Sequence, residues 1–461
     1  MNSTTTWSHR PYCPPMFDGG DIYICRIAPS AHDVHFEWLG TGEAYRVSFG
    51  VRGSGEYTVT ENVKETEFTV SDLPIDTDFE FFVEGMESGK KSRVRLARTG
   101  EIYGTVIHYL HPDDDAYAFS GKYLCSPSFV RHPDGYLLAS MDLYAAAAPQ
   151  NLTLVFRSDD DGASWHYVTD LFPCFWGKLF VHKGDVYMIG NSTEYGDLLI
   201  GRSRDGGKTF CTPTVLMRGS CSPKSPGVHR NPQPVVPYRG RLWNTLEWGA
   251  WAAGYHAPMV MSCDENADLL DAENWVITDP LPYDPAWKGV AEGPSTGNIE
   301  GTLAIAPDGK LYNIMRYDTR KTQPSYGLVL AYEVNTSDPS APLTYSHAIR
   351  LEGNLSKFMI KRDPETGNYY TLLTRITDPE VLSDRRLLSL MRSADLEHWE
   401  LVKDVYDRRD CSPKEVGFQY VDFEIEGNDI LFHCRTALNG AHNFHDANYA
   451  NFDRIKDFRT L

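Results

Sequence analysis

Residues 126–142 read "SPSFVRHPDGYLLASMD": an apolar strand, a turn built around glycine, and a second apolar strand. The phrase returns as "KLFVHKGDVYMIGN" (178–191), "NPQPVVPYRGRLWNTLE" (231–247) and "EGTLAIAPDGKLYNIMR" (300–316). It returns twice more, as "KFMIKRDPETGNYYTLLTR" (357–375) and "YVDFEIEGNDILFHCR" (420–435). The interval between copies leaves room for four strands, and a hairpin repeated at such a period marks a radial repeat. Six copies predict an all-β chain with a six-bladed β-propeller over 119–461. "NYANFDRIKDF" (448–458) is then expected as the closing strand of the sixth blade.

A second phrase punctuates the first. "RSDDDGASWHYV" (157–168) and "RSRDGGKTF" (202–210) fall where the third strand of a blade turns into the fourth, and "SADLEHW" (393–399) is a shortened version in the fifth copy. Asp and Ser side chains bond their own backbone in tight turns and Gly accepts positive φ, so the phrase is a turn followed by a buried aromatic. These turns resemble the Asp boxes of the sialidase superfamily, which lie on the outer edge of a blade and do no chemistry.

The first hundred residues differ. "DVHFEWLG" (33–40), "AYRVSFGVRG" (44–53), "EYTVTE" (56–61), "TEFTVSDL" (66–73) and "DFEFFVEGM" (78–86) are short alternating segments, the pattern of an antiparallel sandwich. Trp38 and "SDLPIDTDFEFFVEG" (71–85) resemble a fibronectin type III module, expected over 19–100 after an N-terminal extension, 1–18. Residues 101–118 are expected as a linker, with "HPDDDAY" (111–117) a solvated turn.

Composition narrows the partners. The 461 residues carry a formal charge of −19, which disfavours nucleic acid and anionic membranes but leaves room for an acidic substrate held by local arginines. No run of about 18 apolar residues is present. The opening lacks a charged start followed by an apolar run, and the nine cysteines are scattered, so reduced thiols in a cytoplasm are expected. Exposed blade edges and the N-terminal module each offer a surface for a homo-oligomer.

In an antiparallel hairpin the start of one strand lies beside the end of the other, so six such ends gather on one face of a propeller. The second strands end at Asp142, Asn191, Glu247, Arg316, Arg375 and Arg435. The first strands begin near Ser126, Lys178, Asn231, Glu300, Lys357 and Tyr420. Polar residues at equivalent places after apolar runs predict the functional face. Arg316, Arg375 and Arg435 stand at the same place in three consecutive blades, where guanidinium forks suit a carboxylate or sulfate.

Resemblance to sialidases implies roles. Glu300 would activate Tyr420 as nucleophile, and Arg316 and Arg375 would hold the substrate carboxylate, with Arg435 as a further cation. Cys125, in "YLCSPSF" (123–129), occupies the place of the family's first-blade arginine. The loop "LYAAAAPQN" (143–151), where the family's proton-donating aspartate would stand, has no acid beyond Asp142. Asp142 is therefore a catalytic candidate, as is His229 in "GVHRNPQP" (227–234), a possible proton shuttle together with His256. Glu247, Trp248 and Trp251 leave the same hairpin, and either tryptophan suits sugar stacking. His442 and His445 lie beside Arg435. Their spacing suits a metal, but no third ligand follows, so they are read as substrate-binding and neither metal nor cofactor is expected.

The function expected is an exo-acting glycoside hydrolase removing an acidic end group, sialic or uronic, from an oligosaccharide. Two alternatives remain: a lyase cleaving uronate-containing glycans by β-elimination through His229, His256, Tyr420 and Arg435, and a non-catalytic glycan-binding propeller.

Overall fold

A computed structural model describes residues 7–14, 22–40 and 42–461. Its strands form eight antiparallel sheets, six of them the propeller and two the N-terminal module. The first blade runs Tyr123–Arg131, Leu137–Tyr144, Thr153–Ser158 and His166–Leu171 from the axis outward. The fourth runs Asn298–Ile305, Leu311–Tyr317, Leu328–Val334 and Thr344–Arg350. The hairpins expected from the repeated phrase are the two inner strands of each blade.

Closure differs from the expectation. Tyr449–Ile455 is the third strand of the sixth blade, and its outer strand is Thr105–Tyr109, from the stretch read as linker. The ring therefore closes by pairing residues more than 300 positions apart, a contact with no local signature. "HPDDDAY" is only partly solvated: Asp113 and Asp115 are exposed, but His111, Asp114 and Tyr117 are buried, and Asp114 pairs with buried Arg95 at 2.7 Å. Part of the expected extension, Ser8–His9, adds a fifth strand to the first blade, while 1–6 and 15–21 lie outside the described residues.

The module has one sheet of Tyr23–Pro29, Val34–Leu39 and Glu67–Val70, and another of Thr58–Val63, Tyr45–Val51, Asp78–Gly85 and Arg95–Arg98. Its buried Arg26 donates to the carbonyls of Val106 (3.0 Å) and Ile107 (2.8 Å) on the closing strand and pairs with Glu37 at 2.9 Å. Glu37 in turn accepts the Tyr167 N–H of the first blade (3.2 Å). The module thus caps the seam where the ring closes.

The Ser-x-Asp turns share one bonding pattern. Asp160 accepts from the backbone and hydroxyl of Ser164 (2.8 and 2.6 Å), and Ser158 Oγ accepts the Gly162 N–H (2.8 Å). Asp205, Thr209, Ser203 and Gly207 repeat these bonds at 2.9, 2.6 and 2.9 Å. Trp165 and Phe210, next in sequence, are fully buried, each worth about 1.5–3 kcal/mol of burial.

Neighbouring blades are stitched near the axis by side chains. Ser128 Oγ accepts the Leu179 N–H (3.0 Å), Asn191 donates to the Val228 carbonyl (2.8 Å), and Thr245 donates to that of Gly301 (2.9 Å). Thr302 accepts the Ile360 N–H (3.3 Å), Thr374 donates to the Phe418 carbonyl (2.8 Å), and Asp422 accepts the Phe129 N–H (2.9 Å). Each bond satisfies a buried backbone group that no strand partner reaches.

Candidate functional site

The first strand of four blades carries a bulge at the same register. Cys125 pairs with Asp142, Phe175 with Asn191, Ile299 with Arg316 and Gln419 with Arg435, and after each pair the register slips. The next residue is left-handed in every case: Ser126 (φ 51°), Trp176 (52°), Glu300 (58°) and Tyr420 (58°). Such φ values cost a non-glycine residue about 1 kcal/mol or more, and bulges re-aim side chains. Glu300 and Tyr420 are thus strict equivalents two blades apart.

Their side chains meet. Tyr420 OH donates to Glu300 Oε1 at 2.7 Å, and Arg316 Nη1 donates to Glu300 Oε2 at 2.6 Å and to the Tyr420 oxygen at 3.3 Å. Burial alone would raise the Glu300 carboxyl, but Arg316 and His229 hold it below its ordinary value. Burial and the Glu300 charge push the Tyr420 phenol well up. The pair is therefore a carboxylate facing a neutral phenol.

Arg435 lies over the Tyr420 ring, 5.1 Å from its centroid, and donates to Cys125 Sγ (3.2 Å) and to the His445 carbonyl. Cys125 thus stands where a first-blade arginine was looked for, and the cation beside it comes from the sixth blade. Arg375 is a correction. Its Nη2 donates to both carboxylate oxygens of Asp404, at 3.0 and 3.1 Å, and its Nη1 lies 3.6 Å from Glu352, outside the Glu300–Tyr420 cluster. The third cation is Arg385, buried on the loop that follows Arg375, with its backbone carbonyl accepting the Phe418 N–H (2.8 Å). Burial and neighbouring Arg316 lower its guanidinium to about 10, while Tyr420 and Glu300 pull it back up. Among the described residues neither Arg385 nor Arg435 has a carboxylate partner, and the Nε of each lacks a hydrogen bond. Sequence spacing missed Arg385 because it stands in an irregular loop outside the repeat.

The third blade supplies one wall. His229 Nδ1 bonds Glu247 Oε2 at 2.6 Å, and Glu247 Oε1 accepts the Gly301 N–H at 3.2 Å, so Glu247 is a buried brace and not a substrate ligand. His229 packs edge-on to Trp176 (4.3 Å) and His256 (4.8 Å). Burial, His229 and Arg316 lower His256 to about 2, and its Nε2 meets the Tyr195 hydroxyl at 3.0 Å. Trp248 is another correction: half-buried, it packs against the core shared by the second and third blades, whereas Trp251, 55% exposed, stands over His256 at 4.8 Å.

Asp142 also departs from the expectation. It has no exposed surface, bonds Thr153 Oγ1 (2.5 Å), and burial raises it to about 7, so it underlies the floor without reaching a ligand. On the sixth-blade loop, Asp446 is held by His442 (2.7 Å) and His445 (2.9 Å). His442 stacks on Tyr123 (5.2 Å) and His445 meets Tyr144 edge-on (5.2 Å), placing His445 beside Arg435 and His442 farther out. Among the described residues the one grouping with metal-like proximity is His35, Glu37 and Glu67 on the module.

No protein-family model matches the chain, and no curated protein sequence does. Solved structures do. A Penicillium chrysogenum alpha-L-arabinanase complexed with arabinobiose is 15% identical over 78% of this chain and 99% of its own, with a TM-score of 0.52. A Hadza microbial sialidase is 12% identical over 94% of each chain (TM-score 0.51). An alpha-L-arabinofuranosidase of Fusarium graminearum is 13% identical over 77% and 98% (TM-score 0.50). At these identities the likeness establishes the fold: the chain is an all-β protein with the propeller architecture of these glycosidases.

Proposed function

We propose that the protein is an exo-acting glycoside hydrolase that removes an acidic end sugar through a tyrosine nucleophile. One observation carries the reading: Tyr420 OH lies 2.7 Å from a Glu300 carboxylate that Arg316 keeps ionised. A phenol is a weak nucleophile at neutral pH, and Glu300 is placed to take its proton as the oxygen attacks the anomeric carbon. A neutral nucleophile also avoids the repulsion between an anionic one and a sugar carboxylate. Arg385 and Arg435, buried and without anionic partners, would pair with that carboxylate, since an uncompensated buried charge is costly. This favours an acidic sugar over a neutral one, and a sialidase rather than an arabinose-releasing enzyme among the similar structures. The Ser-x-Asp turns fit the role of Asp boxes. The seven-stranded module fits a fibronectin type III-like spacer, because its buried Arg26 and Glu37 bond the closing strand and the first blade of the propeller.

The test is time-resolved NMR of the protein with an α-linked aryl sialoside and then with uronate-ended oligosaccharides. Free sugar released by the wild type and not by Glu300→Gln, with unchanged circular dichroism, is the expected result. Equal turnover by Glu300→Gln would overturn it, and an unsaturated product absorbing in the ultraviolet would show elimination instead.

A further inference from the structure

On the hydrolase reading, the departing sugar oxygen needs a proton that neither Glu300 nor Tyr420 can supply, and we propose that Glu194 supplies it. Glu194 stands on the loop between Asp185–Asn191 and Leu198–Ser203 of the second blade, on the face where the inner hairpins end. Glu300 and Tyr420 come from the fourth and sixth blades, so Glu194 approaches the site from another side. The loop is pinned there. Tyr195 OH meets His256 Nε2 (3.0 Å) and accepts the Trp251 N–H (3.0 Å), and Thr193 donates to the Pro149 carbonyl of the alanine-rich loop. The carboxyl itself accepts the Trp251 indole N–H at 3.1 Å.

The other carboxyls bordering the site are occupied. Asp142 is sealed under the floor, and Glu247 is consumed by His229 and the Gly301 N–H. Asp446 is held between two histidines, and despite its burial they lower it to about 2, so it carries no proton to give. Asp197, on the same loop as Glu194, is taken by Arg218 and the Gly219 N–H. Glu194 is half-buried and has no cationic partner among the described residues' ion pairs. The titratable groups facing it are Tyr144 from the first blade, Tyr195 beside it and His229 from the third. Burial raises its carboxyl, with His229 and the Trp251 indole pulling the other way.

The steps balance. Tyr420 oxygen bonds the anomeric carbon and passes its proton to Glu300, while the bond to the leaving oxygen breaks and that oxygen takes the Glu194 proton. Water then attacks the same carbon, Glu194 accepts one of its protons, and the phenol oxygen leaves with the proton held by Glu300.

Two measurements on the full-length protein test this. First, Trp251 fluorescence, isolated by subtracting Trp251→Phe, is titrated without substrate; a transition above the ordinary glutamate range of about 4.3 that vanishes in Glu194→Gln is expected. Second, Glu194→Gln is compared on two glycosides of one sugar. Turnover of the alkyl-linked one should fall roughly 10²- to 10⁴-fold, and that of one with an acidic phenol leaving group less than about tenfold. A transition absent or at the ordinary value overturns the proposal, as does an equal loss on both substrates, which would make Glu194 a binding group. Wild-type protein inactive on both would overturn the hydrolase reading and the donor role with it, whereas an intact wild type with an indifferent Glu194→Gln overturns the donor role alone.

Discussion

Two charged clusters lie one above the other on the same inner strands, and they are bonded in opposite ways. In the deeper one, Asp422, two residues past Tyr420, takes the Phe129 N–H and pairs with Lys178, two residues past Trp176. Lys357 donates to the Val421 carbonyl at 3.0 Å, and burial lowers it to about 8. Its charges are spent on the scaffold, and they join the second, fifth and sixth blades. In the upper cluster Arg385 and Arg435 keep donors without acceptors beside the hydrogen-bonded Tyr420–Glu300 pair. Both clusters are buried and rich in cations. What separates the hub from the candidate site is the countercharge: Asp422 answers Lys178 in the hub, whereas Arg385 and Arg435 have no ion pair among the described residues.

The sharpest way to break this contrast is at Glu300. Glu300→Gln should lower kcat on the order of 10³-fold or more while leaving the denaturation midpoint nearly unchanged, measured by product release and urea unfolding. Asp422→Ala should do the reverse. Stranding Lys178 and Lys357 should cost about 3–5 kcal/mol of stability, read from urea unfolding, and a midpoint like wild type would dissolve the distinction.

Smaller effects sharpen it. Arg385→Ala and Arg435→Ala should each raise KM for an acidic substrate by roughly 10- to 100-fold, about 1.5–3 kcal/mol for a charged hydrogen bond. Neither should do so for a neutral analogue. His433, buried beside the hub, is lowered by that burial to about 4, below its unfolded value of about 6.5. Between these values the unfolded chain binds more protons, so stability should rise with pH from about 4 to about 6.5 and level off above. His433→Asn should flatten this rise in a series of thermal melts. Least of all, Arg375→Ala should leave kcat/KM unchanged and cost about 0–1 kcal/mol, because its partly exposed ion pair with Asp404 is a modest surface pair. A large rise in KM would return Arg375 to the site.

Much of this was legible in the chain because a hairpin is local. Counting from the turn glycine places Glu300 beside Arg316 and Tyr420 beside Arg435; the observed register is one residue off, pairing Ile299 and Gln419 with these arginines and leaving Glu300 and Tyr420 in the adjoining bulges. Trp248 and Trp251 show the limit. They sit three residues apart, yet strand alternation lays Trp248 against the core while a turn leaves Trp251 exposed. Arg375 and Arg385 show it again, since the repeat pattern points to the first and an irregular loop delivers the second.

By itself, then, the sequence determined the six-fold repeat, the blade hairpins and the polar positions at their ends, all set by turn chemistry and apolar alternation over a few residues. Only the tertiary structure decided how the ring closes through Thr105–Tyr109, which arginines keep unpartnered donors, and which carboxyls are sealed or spent. Those outcomes depend on groups from different blades competing for the same few hydrogen bonds in a confined space, and no local pattern records which of them wins.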